Sequence, residues 1–270
     1  MTLHSKLSTV LLLVLGLGLW NVAANAQPTN YTVQGKTGIP APSYAVTFLD
    51  DFLGFIDIAK ASLTASMGGS TSASDSVYNV TVAGTNTFFA IRDSVIDGGA
   101  AQVYLDSTGG AGASDICVQL QTHPFRMIAG KELTFEAKLR PGVVGTHYYT
   151  IGMSQTSTTA NDSIVQGTGF IVKGDSNLYF MTNNGVTQSA DTNDTGVDLA
   201  DSTDVTVRWS WDGRNTIRYW VDGDYIGQST GTTARPDSVW MAPTLGMKQN
   251  SLAGVNHRLW LDYWYVQQER

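Results

Sequence analysis

The chain has 270 residues, with 16 lysines and arginines against 23 aspartates and glutamates, a formal net charge of −7, and one cysteine. An acidic surface with no basic stripe excludes nucleic acid as a partner, because it repels the phosphate backbone, and the single Cys117 excludes an intrachain disulfide. Only Glu132, Glu136 and Glu269 are glutamates, whereas the many aspartates stand mostly beside Gly, Ser, Thr or Asn; this bias marks a turn-rich β protein, since Asp caps turns and Glu favours helices.

At the N-terminus Lys6 precedes an apolar run from Leu11 to Trp20 and the small-residue stretch Ala23-Ala24-Asn25-Ala26. These are the parts of a secretory signal peptide, and they predict cleavage after Ala26 with Gln27 as the new first residue. The uninterrupted apolar run is shorter than the ~20 residues a spanning helix needs, although Leu7 to Ala24 would cross as an uncleaved anchor if tilted. Residues 27–44 carry Pro28, Pro40 and Pro42 with Gly35 and Gly38 and show no periodicity, which reads as an extended arm or linker.

From Ala45 to the C-terminus, residues 45–270 read as one β-sandwich domain of short segments with period-two alternation divided by turn residues. In Leu133-Thr134-Phe135-Glu136-Ala137-Lys138-Leu139-Arg140 every odd residue is apolar and every even one polar. Val205, Val207, Trp209 and Trp211 repeat the pattern. Asp212-Gly213 and Asp222-Gly223-Asp224 then turn the chain through 216–221 into Tyr225-Ile226-Gly227, a meander whose turns need residues tolerant of positive φ. Further strands are expected at 78–82, 87–92, 101–105, 116–121, 147–153, 168–173, 177–182, 239–247 and 257–267. The stretch Phe55 to Met67 is read as a turn or two of helix, and the Gly/Ser/Thr/Ala stretches at 68–76 and 107–114 as exposed loops. About a dozen short strands without an amphipathic helix predict an all-β fold, a two-sheet antiparallel β-sandwich of the jelly-roll kind.

The Asp50-Asp51-Phe52 opening, Leu133-Thr134-Phe135-Glu136-Ala137, Trp211-Asp212-Gly213, the hairpin Tyr219-Trp220-Val221-Asp222-Gly223 and the closing Leu261-Asp262-Tyr263 resemble concanavalin A-like, laminin G-like jelly rolls. The resemblance covers residues 45–270. Within that group the chain looks most like sandwich modules on the surface or fibres of tailed-phage particles, from which its signal peptide is a departure.

Glu132 to Glu136 resembles the E-x-D-x-E strand of jelly-roll glycoside hydrolases, but Thr134 stands where the middle aspartate would be. A retaining glycosidase needs two carboxyls about 5 Å apart with differently tuned pKa values. Glu132 and Glu136 are therefore the only weak hydrolase candidate, and the chain is expected not to be an enzyme. His4, His123, His147 and His257 lack the spacing of zinc ligands. Cys117, in an alternating stretch, reads as a buried small hydrophobe. Asp191-Thr192-Asn193-Asp194-Thr195-Gly196 places oxygens partly like a calcium loop, but Ser202 replaces the closing glutamate. The stretch is expected to be a plain acidic loop and the chain to carry no cofactor, with calcium as the alternative.

The candidate binding residues are Arg218, Trp220 and Asp222 on the hairpin and Arg258, Trp260, Asp262 and Trp264 on the final strand. Strict alternation would set the latter four opposite Leu259, Leu261, Tyr263 and Tyr265. Indole faces stack on sugar rings while Asp and Arg fix hydroxyls. The expected function is an exported, non-catalytic, glycan-binding module on a cell or particle surface. The alternatives are an architectural virion surface, decoration or fibre subunit that contacts other particle proteins, and a jelly-roll glycoside hydrolase, active or degenerate. The partner is thus a glycan or a particle-surface protein, with homo-oligomers possible through the outward aromatics and no membrane contact once the signal is cleaved.

Overall fold

Period-two alternation is realised as strands through most of the described residues. The computed structural model describes residues 31–33, 36–38, 45–50, 71–74, 78–83, 87–92, 100–105, 115–155, 164–185, 191–231, 234–237, 239–249 and 257–269. The chain divides into two units, one up to Ala41 and one from Pro42. In the first, β1 (Tyr31–Val33) and β2 (Lys36–Gly38) pair as an antiparallel hairpin.

The second unit contains two antiparallel sheets. One has the order β13 (Asp191–Asp198), β12 (Asn177–Asn183), β11 (Gly167–Lys173), β10 (His147–Ser154), β17 (Ala242–Gln249), β8 (Asp115–Leu120), β5 (Tyr78–Ala83), β4 (Thr71–Ser74). The other has the order β16 (Asp224–Ser229), β15 (Ile217–Val221), β14 (Val205–Trp211), β9 (Leu133–Pro141), β18 (His257–Glu269), β7 (Ala100–Leu105), β6 (Thr87–Arg92). β3 (Ala45–Asp50) pairs with the second half of β18, on the edge whose first half pairs with β7. The described residues contain no helix, and the architecture is the all-β jelly-roll sandwich expected from the alternation.

The odd residues Leu133, Phe135, Ala137 and Leu139 of β9 and Val205, Val207, Trp209 and Trp211 of β14 face the opposing sheet and are buried. There Phe180 stacks on Tyr219 at 4.3 Å between ring centroids, one sheet against the other. The expected loop at 68–76 is in part strand, because Thr71–Ser74 adds β4 to the sheet edge through backbone pairing with β5. The helical expectation at 55–67 and the loop at 107–114 lie outside the described residues.

β18 does not keep a single alternation. Its register against β9 shifts between Leu261 and Tyr263, so Asp262 is the extra residue of a β-bulge. Before the bulge Leu259 and Leu261 point into the core; after it Trp264 and Val266 do. The bulge is what arranges the face described next.

Candidate functional site

The outer face of the β9-containing sheet is built from the polar half of each alternation. Register places Tyr225, Trp220, Arg208, Glu136, Tyr265 and Leu49 side by side in one row across β16, β15, β14, β9, β18 and β3. A second row, two residues along each strand except β16, where a register shift makes it three, runs Gln228, Arg218, Ser210, Thr134, Gln267, Thr47. At a strand spacing of about 4.8 Å each row extends roughly 24 Å. The first row is aromatic and charged, and the second is made of amides, hydroxyls and one guanidinium.

Within the first row the charges lie low and the rings stand high. Glu136 is 1% exposed and Arg208 7%, whereas Tyr225 is 55% and Leu49 47% exposed. The Arg208 guanidinium lies 4.9 Å from the centre of the Trp220 ring, and Trp220 meets Tyr225 edge-on at 6.0 Å and 64°. Tyr263 donates from its hydroxyl to Oε1 of Glu136 at 2.6 Å. Burial first, then the hydrogen bond to Glu136 and its negative charge, push the Tyr263 phenol well above the usual tyrosine range. Burial also lowers Arg208 from its ordinary value, opposed by the charges of Glu136 and Tyr265; a guanidinium remains charged regardless. In the second row Thr134 Oγ1 donates to Ser210 Oγ at 3.0 Å, and Tyr265 donates across the rows to Gln267 Oε1 at 2.8 Å.

A charged edge borders the rows. Lys138 Nζ lies 2.7 Å from Asp262 and 3.7 Å from Asp204, and Arg140 Nε lies 2.5 Å from Asp204. The hydrogen bond from Arg140 is the main influence holding the Asp204 carboxyl below its usual value, against partial burial.

Of the residues singled out from sequence, Arg218 and Trp220 stand on this face, Arg218 exposed and Trp220 half-buried. Asp222 is committed to the hairpin: its backbone has φ 51°, its Oδ1 accepts from the Thr206 N–H at 2.7 Å, and its own N–H donates to Thr206 O. Arg258 is exposed before the bulge, and Asp262 is taken up by Lys138. Two placements are corrected. Trp264 is not outward: the bulge turns it into the main core, fully buried, with Tyr78 of the opposing sheet at 5.8 Å. Trp260, before the bulge, is 8% exposed and is no open platform; Gly142 packs against its six-membered ring, where a Cβ would come within 3.4 Å. In their stead the bulge directs Tyr263 and Tyr265 outward, the two residues that strict alternation set on the wrong face. Glu136 and Arg208 stand where alternation put them, on the polar face of β9 and β14.

The pair Glu132 and Glu136 does not form a two-carboxylate site. Glu132 is exposed and precedes β9; its carbonyl accepts from the Glu269 N–H, and its own N–H donates to the Glu269 carboxylate. The calcium candidate forms strand β13 rather than a loop, with Asp194 Oδ1 accepting from Gly196 N–H at 2.8 Å and Asp191 Oδ2 accepting from Ser229 Oγ at 2.6 Å. Among the described residues no group of three or more His, Cys, Asp and Glu side chains is placed to hold a metal ion. Cys117 is buried, and burial with the nearby Asp115 charge pushes its thiol up to about 12.

No family model matches the chain, and no curated protein matches it. Solved structures do. An endo-β-1,4-glucuronan lyase from the fungus Trichoderma reesei is similar with a TM-score of 0.50 and 14% identity, over 67% of this chain and 87% of that one. A glycoside hydrolase family protein from Mycobacterium thermorestibile is similar with a TM-score of 0.51 and 14% identity, over 81% of this chain and 99% of that one. A protein of unknown function from Shewanella oneidensis MR-1 is similar at 0.50 and 12%, over 100% and 95% of the two chains. At such identities the shared property is the jelly-roll fold. The expectation that the chain is not an enzyme is overturned by these likenesses, because the same sandwich carries lyase and glycoside hydrolase chemistry in its neighbours; the lack of an E-x-D-x-E strand excludes one arrangement of acids only.

Proposed function

We propose that the chain is a carbohydrate-active protein, exported from the cell, that engages an extended glycan across the outer face of the β9 sheet. The observation that carries this reading is the parallel alignment of an aromatic row, Tyr225, Trp220 and Tyr265, with the hydrogen-bonding row Gln228, Arg218, Ser210, Thr134 and Gln267. A pyranose presents an apolar face for a ring to stack on and a rim of hydroxyls for amides and guanidinium groups to fix. The buried Glu136 and Arg208 hold Tyr263 and Trp220 in place beneath the ligand, and the Tyr263–Glu136 pair is the hydroxyl–carboxylate couple that a reaction on this face would recruit. The signal peptide read at the N-terminus and the neighbours' carbohydrate chemistry support the same assignment.

The test is a glycan array probed with the purified protein, followed by calorimetry on each positive ligand and measurement of reducing ends released from it. Wild-type protein should bind at least one extended glycan. The double change Trp220→Ala and Tyr225→Ala should abolish binding while the protein stays folded, with a cooperative unfolding transition. No bound glycan on the array, or undiminished binding by the double variant, refutes the proposal.

A further inference from the structure

Trp240 is 49% exposed, the most exposed tryptophan among those described. It stands at the end of the sandwich where β18 closes, outside both rows, and the Arg126 guanidinium lies over its ring at 4.9 Å. Both residues project from a braced support. Their neighbours Phe125 and Met241 are fully buried and exchange two backbone hydrogen bonds, Phe125 N–H to Met241 O at 3.3 Å and Met241 N–H to Phe125 O at 2.7 Å. The Arg126 peptide is fixed in addition by the side chain of Gln268, 4% exposed: Gln268 Oε1 accepts from Arg126 N–H at 3.2 Å, and Gln268 Nε2 donates to Arg126 O. A buried carboxamide thus spends both its functions on orienting one arginine.

The surface consequence is unusual for this chain. With 23 acidic against 16 basic residues it has anions to spare, yet among the described residues no carboxylate lies within ion-pair distance of Arg126. A guanidinium over an indole meets the ring with one face and can still grip a carboxylate through two parallel hydrogen bonds at its edge. The exposed indole supplies apolar surface beside it. We propose that Trp240 and Arg126 form a subsite for the carboxylate-bearing sugar of an acidic glycan, with the ring stacked on Trp240 and the C6 carboxylate held by Arg126. The proposal rests on the carbohydrate reading of the sheet face and adds a charge-selective position outside its two rows.

The experiment compares matched ligands that differ only at C6: oligomers of mannuronate and galacturonate against oligomers of mannose and galactose, titrated by calorimetry. Wild-type protein should prefer a uronate to its uncharged parent by about tenfold or more, the worth of one charge-assisted bidentate contact. Arg126→Gln should remove that preference while leaving the neutral oligomer bound as before. Arg126→Lys, which keeps the charge but loses the fork, should restore only part of it, and Trp240→Ala should weaken both members of the pair. Thermal unfolding of each variant checks that the fold is retained. Equal wild-type affinity for a uronate and its parent, or a preference that survives Arg126→Gln, overturns the subsite and leaves the sheet-face reading standing. Failure of every oligomer, charged or neutral, sinks both.

Discussion

Tyr263 and Glu136 are joined by a 2.6 Å hydrogen bond between diagonal positions of neighbouring strands, with the phenol donating to a carboxylate that is almost fully buried. An O–H donor to a carboxylate is shorter and stronger than a neutral pair, and removing it leaves a buried charge short of one partner. Tyr263→Phe should therefore destabilise the fold by about 1–3 kcal/mol. Glu136→Gln in the Tyr263→Phe background should cost less than in wild type, giving a coupling of about 0.5–3 kcal/mol in a double-mutant cycle followed by urea unfolding. Additive changes would show that the contact contributes nothing.

The two tryptophans of similar sequence context should part company in stability. Trp264 fills the core against Tyr78, whereas Trp220 lies half-buried on the outer face. Trp264→Ala should cost about 3–5 kcal/mol, the loss expected for emptying a core tryptophan site. Trp220→Ala should cost clearly less, losing partial burial and the contact with Arg208. Equal shifts of the denaturant midpoint would contradict the placement.

Cys117 should be silent in the native state. Its thiol is pushed up to about 12 by burial and then by Asp115, so the thiolate that reacts with alkylating reagents is scarce at neutral pH as well as inaccessible. Iodoacetamide at pH 8 should leave the folded protein unmodified by intact mass and add one adduct in guanidinium chloride. The linkage has a definite sign. A folded pKa above the unfolded value of about 8.5 contributes stability that is present below pH 8.5 and lost as pH rises towards 12. Cys117→Ala should accordingly flatten the alkaline fall in unfolding free energy.

Acid should act on the charged edge in the opposite sense. The Asp204 carboxyl is held below its ordinary value, first by the hydrogen bond from Arg140, so its contribution is present above about pH 4 and lost as pH falls through the lower folded value. The groups are partly exposed, so the effect is modest and screened by salt. Asp204→Asn should reduce the acid dependence of the melting temperature below pH 4, and high salt should shrink the difference between variant and wild type.

Much of the fold was legible in sequence because alternation is a local property. Leu133 to Arg140 and Val205 to Trp211 each carry their own facing pattern, and Asp222 with φ 51° occupies the turn its residue type favours. What escaped depended on partners. Thr71–Ser74 is a strand because β5 offers it an edge, not because its Gly/Ser-like composition demands one. Asp191–Asp198 carries turn residues throughout and is nevertheless drawn into pairing with β12, with a register shift opposite Leu178 and Tyr179. The site was half legible. Arg218 and Trp220 were found by alternation, while Tyr263 and Tyr265 were assigned to the wrong face because nothing local announces an extra residue at Asp262.

Asp262 is a spare residue in β18, and the strand's facing tolerates its loss. Replacing its side chain would cost an ion pair with Lys138, but deleting the residue would restore unbroken alternation along β18. Every later position would keep its side, with Trp264 and Val266 still in the core and Tyr263 and Tyr265 still outward; the faces would change places only if β18 paired at its present length without the bulge. A lineage carrying this surface can therefore lose the codon for residue 262 and keep both faces, whereas one codon gained or lost beside an unbulged stretch of β18 would have to be absorbed by a new bulge.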